Sequence, residues 1–187
     1  MPNKNGLELI KPTSIASTGT GNSSSINTNG SVTFSTCATL SLNGVFSADY
    51  DNYMIVARHN ASTTSTFRAR LRSSGTDATA SDYTYQVVEV YDTTVAGRRD
   101  SSQGQFVYGP GGYLVRAGHI IWFYGPHLAQ PTATRNISTG PWSSGGYPGY
   151  IIDVAGTHSP STSYDGVTVF PSGGTLSGLI AVYGMRK

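Results

Sequence analysis

The feature that most constrains this chain is a succession of short apolar runs closed by turn-forming residues, none keeping a 3.6-residue period. Val32-Thr33-Phe34 opens the series. Tyr53 to Arg58 is a near-continuous apolar run, which suits a strand covered on both faces. Thr66 to Arg72 alternates, with Phe67, Ala69 and Leu71 to one side and Arg68, Arg70 and Arg72 to the other. Tyr83–Val90, Gln105–Tyr108, His119–Tyr124, Tyr150–Val154, Val167–Phe170 and Leu179–Tyr183 follow, separated by breakers such as Gly109-Pro110-Gly111-Gly112 and Pro171-Ser172-Gly173-Gly174. Short strands at this spacing predict an all-β, antiparallel β-sandwich of jelly-roll type. Its expected core includes Phe67, Leu71, Ile121, Phe123 and Val169. No fixed-period repeat is present, which argues against a solenoid or propeller.

The first thirty residues read differently. Ser14 to Ser31 is almost entirely Ser, Thr, Gly and Asn, and such a segment buries too little apolar surface to offset its ordering entropy. Residues 1–30 are therefore expected to form an extended N-terminal arm or tether, and residues 31–187 the sandwich domain. Leu7, Leu9 and Ile10 would anchor the arm on a partner, adding a strand to its sheet. Deleting residues 1–12 would then leave the domain folded and abolish attachment.

Charged residues make up 12% of the 187 residues, against about 25% in an average domain. A surface hydrated by hydroxyls rather than charge is poor at keeping molecules apart. The net charge of +2 argues against nucleic acid as a partner. Cys37 is the single cysteine, so no internal disulfide and no thiolate zinc site can form. No apolar run approaches the roughly 20 residues of a membrane span, and no secretory leader is evident; synthesis in the host cytoplasm is expected.

Catalytic chemistry finds little support. His59, His119, His127 and His158 are scattered without metal-ligand spacing. No Gly-x-Ser-x-Gly elbow presents a nucleophile. Asp49 and Asp51 could share a face and hold a hard cation, but they also suit a turn before a strand. No enzyme activity, metal or cofactor is expected. Two features suggest contacts instead. Arg68, Arg70 and Arg72 form a stripe that could meet an acidic neighbour across a subunit interface, or could remain a solvated face that blunts a sheet edge. Trp142, Tyr147 and Tyr150 cluster in a Gly/Pro-rich loop, where aromatic rings could stack on a glycan, anchor an interface, or pin the loop.

Ser41-Leu42-Asn43-Gly44-Val45-Phe46-Ser47-Ala48-Asp49-Tyr50-Asp51-Asn52-Tyr53, with Ala155-Gly156-Thr157-His158, Tyr164-Asp165-Gly166-Val167, Gly174-Thr175-Leu176-Ser177-Gly178 and Val182-Tyr183-Gly184, resembles a group of small virion proteins of tailed bacteriophages. The likeness covers residues 31–187. It implies a virion structural protein, most specifically a head-decoration (cement) protein that binds the major capsid protein as a homotrimer. A tail-fibre or receptor-binding domain recognising a host glycan is the alternative. The resemblance carries no catalytic residues.

Overall fold

A computed structural model describes residues 6–110, 112, 116–141 and 149–186. They form β1 (Leu7–Ile10), β2 (Ser14–Thr18), β3 (Ser23–Ile26), β4 (Val32–Cys37), β5 (Thr39–Asn43), β6 (Tyr50–Ala61), β7 (Thr66–Ser73) and β8 (Thr76–Asp77). These are followed by β9 (Tyr83–Tyr91), β10 (Thr94–Gln103), β11 (Phe106–Pro110), β12 (Ala117–Tyr124), β13 (Thr132–Gly140), β14 (Tyr150–His158), β15 (Gly166–Pro171) and β16 (Leu176–Arg186). Among the described residues there is no helix.

Two antiparallel sheets make a sandwich. The large sheet runs β10-β9-β14-β13-β12-β6-β16-β4-β3, with β1 also paired to β16; the small one runs β11-β7-β15-β5-β2, with β8 paired to β7. Alternate residues of each strand enter the space between them. Phe67, Leu71, Ile121, Phe123 and Val169 are all buried there, as expected. Phe46, Phe106, Tyr108 and Phe123 pack through the centre, Phe106 stacked on Tyr108 and Phe123 tilted or edge-on to the other three.

The phrases that carry the phage resemblance prove to be joints of this sandwich. Tyr53 Oη accepts from the Ser47 amide and donates to the Ser47 carbonyl, both at 2.7 Å, closing the turn before β6. The Tyr50 ring lies on Gly184, where a Cβ would come within 2.5 Å of it. Gly166 similarly leaves room for the Arg72 stem, which a Cβ would meet at 2.9 Å.

Residues 7–26 correct the tether expectation. β1 pairs with β16 in the large sheet, β2 with β5 in the small one, and β3 with β4 in the large one again. The segment thus stitches both sheets rather than hanging from them. Its order comes from ladder hydrogen bonds and cross-strand hydroxyl contacts, such as Ser17 to Ser24 at 2.9 Å and Thr18 to Thr39 at 2.7 Å. An account that weighs only apolar burial misses these. Ile10, Ile15 and Ile26 also pack against the core. Leu7 and Leu9 pair with Met185 and Tyr183, so the proposed anchor is already engaged within its own chain, although Leu7 remains exposed. Deleting residues 1–12 is therefore expected to lower the unfolding free energy by about 2–4 kcal/mol, from a lost strand and the lost burial of Ile10. Urea denaturation followed by circular dichroism measures it; an unchanged midpoint would contradict the stitching role.

Candidate interaction surface

Covering both faces of β6 would need a third layer, which a two-layer sandwich lacks. One face of β6, with Tyr53, Ile55, Ala57 and His59, is buried; the other, with Met54, Val56 and Arg58, is not. The expectation of a doubly covered strand is thus corrected, because its second apolar face points outward. The same holds across the neighbouring strands. Val56 pairs with Ile120, Ile120 with Ile137, Ile137 with Asp153 and Asp153 with Val88. One row along, Ile151 pairs with Val90 and Val90 with Val95. In the other direction Met54 pairs with Trp122 and Trp122 with Arg135. Val95 is 70% exposed, Val88 53%, Ile151 50% and Ile137 45%. Isolated exposed apolar residues are ordinary, but a contiguous field of them marks an interaction surface.

The field is shaped as well as apolar. A hollow of about 630 Å3 opens over Gly118, walled by Val56, Arg58, Ile120, Ile137 and Ile151. A second, of about 410 Å3, lies over Ala133 and Ala155 and is rimmed by Thr84, Gln86, Arg99 and Thr157. Between them Arg135 grips Asp153 in a two-point ion pair, Nε to Oδ1 at 3.1 Å and Nη2 to Oδ2 at 2.6 Å. This holds the Arg135 guanidinium above its ordinary pKa, through the hydrogen bonds and charge of Asp153.

The contact residues expected from sequence fare unequally. The Arg stripe does lie opposite Phe67, Ala69 and Leu71, but its members are engaged within the chain. Arg72 is only 8% exposed. Its guanidinium meets Asp77, the Ser41 hydroxyl at 2.9 Å, the Thr168 hydroxyl at 2.7 Å and the Gly75 carbonyl. Arg70 donates to the Gly104 carbonyl at 3.0 Å and to Gln105 at 3.2 Å, and lies over the Phe170 ring. Arg68 Nε donates to Thr66 at 3.1 Å. For Arg72 an inter-subunit role is corrected: its cationic head is spent on a buried internal network.

Tyr150 is buried and donates to Glu89 at 2.8 Å, which also accepts from Arg98 at 2.9 Å. A ring so placed is no open platform for a sugar, and burial with the Glu89 charge raises its phenol pKa. Trp142 and Tyr147 lie outside the described residues. Asp49 is held by Ser47 at 3.1 Å in the turn before β6. Among the described residues no group of three or more His, Cys, Asp or Glu is placed to hold a metal ion.

No family model matches this chain, and no curated protein matches it. Among solved structures, the N-terminal CBM22-1 and GH10 modules of endo-1,4-beta-D-xylanase 10B from Clostridium thermocellum, complexed with xylohexaose, align with 92% of this chain. The identity is 12% and the TM-score 0.32, and the chain covers 26% of that structure's length. The C-terminal CBM6 of LamC, a marine laminarinase from Zobellia galactanivorans, aligns with 97% of this chain and 99% of its own, at 12% identity and TM-score 0.28. Likenesses this distant bear on neither site nor ligand.

Proposed function

We propose that this chain is a structural protein of a tailed-bacteriophage virion, acting by being packed against neighbours rather than by transforming a substrate. The observation that supports it most is the outward apolar field of the large sheet. A lone molecule in water gains nothing from leaving such a surface uncovered, whereas a subunit repeated over a particle covers it on assembly. The sequence resemblance supplies the kind of particle. Head decoration, against the major capsid protein, is the first reading. With residues 7–26 stitched into the sheets, attachment through a free arm is no longer part of this reading.

The tail-fibre or receptor-binding reading draws on the hollow rimmed by Thr84, Gln86, Arg99 and Thr157. Its hydroxyl and amide groups suit hydrogen bonding to a glycan. Quantitative mass spectrometry of purified particles of the encoding phage separates the two. Hundreds of copies per particle are expected for head decoration, and a few to a few dozen for a fibre part. Particles without the chain would refute both.

A further inference from the structure

We propose that the outer face of the large sheet is where two copies of this chain pack, face to face, about a two-fold axis lying in the contact plane. The inference rests on the reading that this face is covered in the working protein, and it names what covers it.

Size is the first argument. Strands lie about 4.8 Å apart and same-face residues about 6.7 Å apart. The six strands β6, β12, β13, β14, β9 and β10 thus present a field of roughly 28 Å by 27 Å, on the order of 750 Å2. A standard interface buries about 800 Å2 per partner, so a footprint of this size, apolar and polar residues together, is enough for a stable pair.

Charge is the second. Near the middle of the field stand one cation and one anion, Arg135 and Asp153, on adjacent strands. Asp153 has Ile137 and Val88 as its cross-strand neighbours. An unpaired charge there would oppose coverage by an apolar partner, because burying it uncompensated is costly. An adjacent opposite pair leaves the centre neutral and, more tellingly, complementary to itself. A two-fold axis passing between the two side chains sets each guanidinium against the other copy's carboxylate, closing a ring of four alternating charges. Such an arrangement is isologous, the commonest form of self-association. Arg58 and Arg99 stay at the margins of the field, where water reaches them. A nucleic acid or an acidic patch would call for a surplus of cations at the centre, which this face lacks.

Sedimentation equilibrium of the full chain tests this. The wild type is expected to run as a dimer at micromolar concentration. Arg135→Asp and Asp153→Arg should each run as monomers, with self-association weakened on the order of 100-fold, because each variant sets four like charges together. Mixed in equal amounts, the two variants should recover a dimer, since the pair from one then faces the opposite pair from the other. Thermal melting checks that each remains folded. If either does not, Val88→Glu, at an exposed site in the same field, takes its place and should be monomeric. A monomeric or trimeric wild type, folded variants that stay dimeric, or a mixture of folded variants that fails to associate would each overturn the proposal. A monomeric wild type with hundreds of copies per particle would end the two-fold pairing and leave the virion role standing. A dimer missing from the particle would do the reverse.

Discussion

Lowering the pH from 7.5 to 4 is expected to remove roughly 6 kcal/mol of folding free energy, comparable with the whole stability of many domains. The source is two histidines that the sandwich buries uncharged. His119 stacks with His59 and Phe67 at 5.0 and 4.5 Å, and its ring nitrogens lie 3.1 Å from the Pro110 carbonyl and 3.3 Å from Asn136. Burial holds its pKa down to about 4, against the smaller opposing effect of those hydrogen bonds. His158 stacks between Tyr83 and Tyr164 at 4.0 and 5.3 Å, with Tyr164 Oη 2.8 Å from Nε2. Burial lowers it to about 4 as well, despite the charge of Asp82.

In the unfolded chain both rings titrate near 6.5. Between about pH 6.5 and 4 the unfolded state therefore binds more protons than the folded one, and stability falls as the pH falls. The contribution is fully present above that window and lost below it. Each histidine accounts for about 3 kcal/mol. Urea denaturation at pH 7.5, 5.5 and 4 measures the slope. His158→Phe should flatten it by one proton while keeping the stack on Tyr83. A midpoint that does not move between pH 7.5 and 4 would rule the account out.

Arg72→Met is expected to destabilise the protein by about 3–5 kcal/mol, whereas Arg68→Met and Arg70→Met should each cost about 1 kcal/mol or less. The three arginines look equivalent in sequence and share one strand face. What separates them is the β7–β8 turn, which folds Asp77 over Arg72 and, with Ser41 and Thr168, encloses its head. Removing the guanidinium leaves the Asp77 carboxylate without its cation, holding only the Thr168 hydroxyl, and takes one donor from each of the Ser41 and Thr168 hydroxyls. Arg68 and Arg70 are only partly buried and give up contacts that water can replace. Equal effects of the three substitutions in guanidinium denaturation would show the network to be unimportant. Loss of association from Arg68→Met or Arg70→Met, with stability unchanged, would instead return the stripe to an inter-subunit role.

The all-β sandwich was legible in the chain because period-two alternation is local: each residue's side follows from its neighbour's. Phe67 and Leu71 could be placed inward for that reason, because arginines mark the other side of their strand. The first thirty residues were not legible in the same way. The order of residues 7–26 comes from backbone pairing, β3 with the adjacent β4, β2 with β5 and β1 with β16 at the far end of the chain, and Ser and Thr carry no apolar signal of it.

The candidate surface lies between these cases. The runs Tyr53–Arg58 and His119–Tyr124 announce that both faces of their strands are apolar. Two sheets packed face to face, with no helix among the described residues, bury only one of them. The surplus was therefore written in the sequence, but not where it would gather. Alternation along each strand is set by covalent geometry, so the sequence by itself determined which residues share a side. Only the tertiary structure decided which strands lie side by side. That choice depends on non-local hydrogen bonding and packing, and it joins Val56, Ile120, Ile137, Val88 and Ile151 into one surface, puts Arg135 beside Asp153, and shuts Arg72 away from its neighbours in sequence.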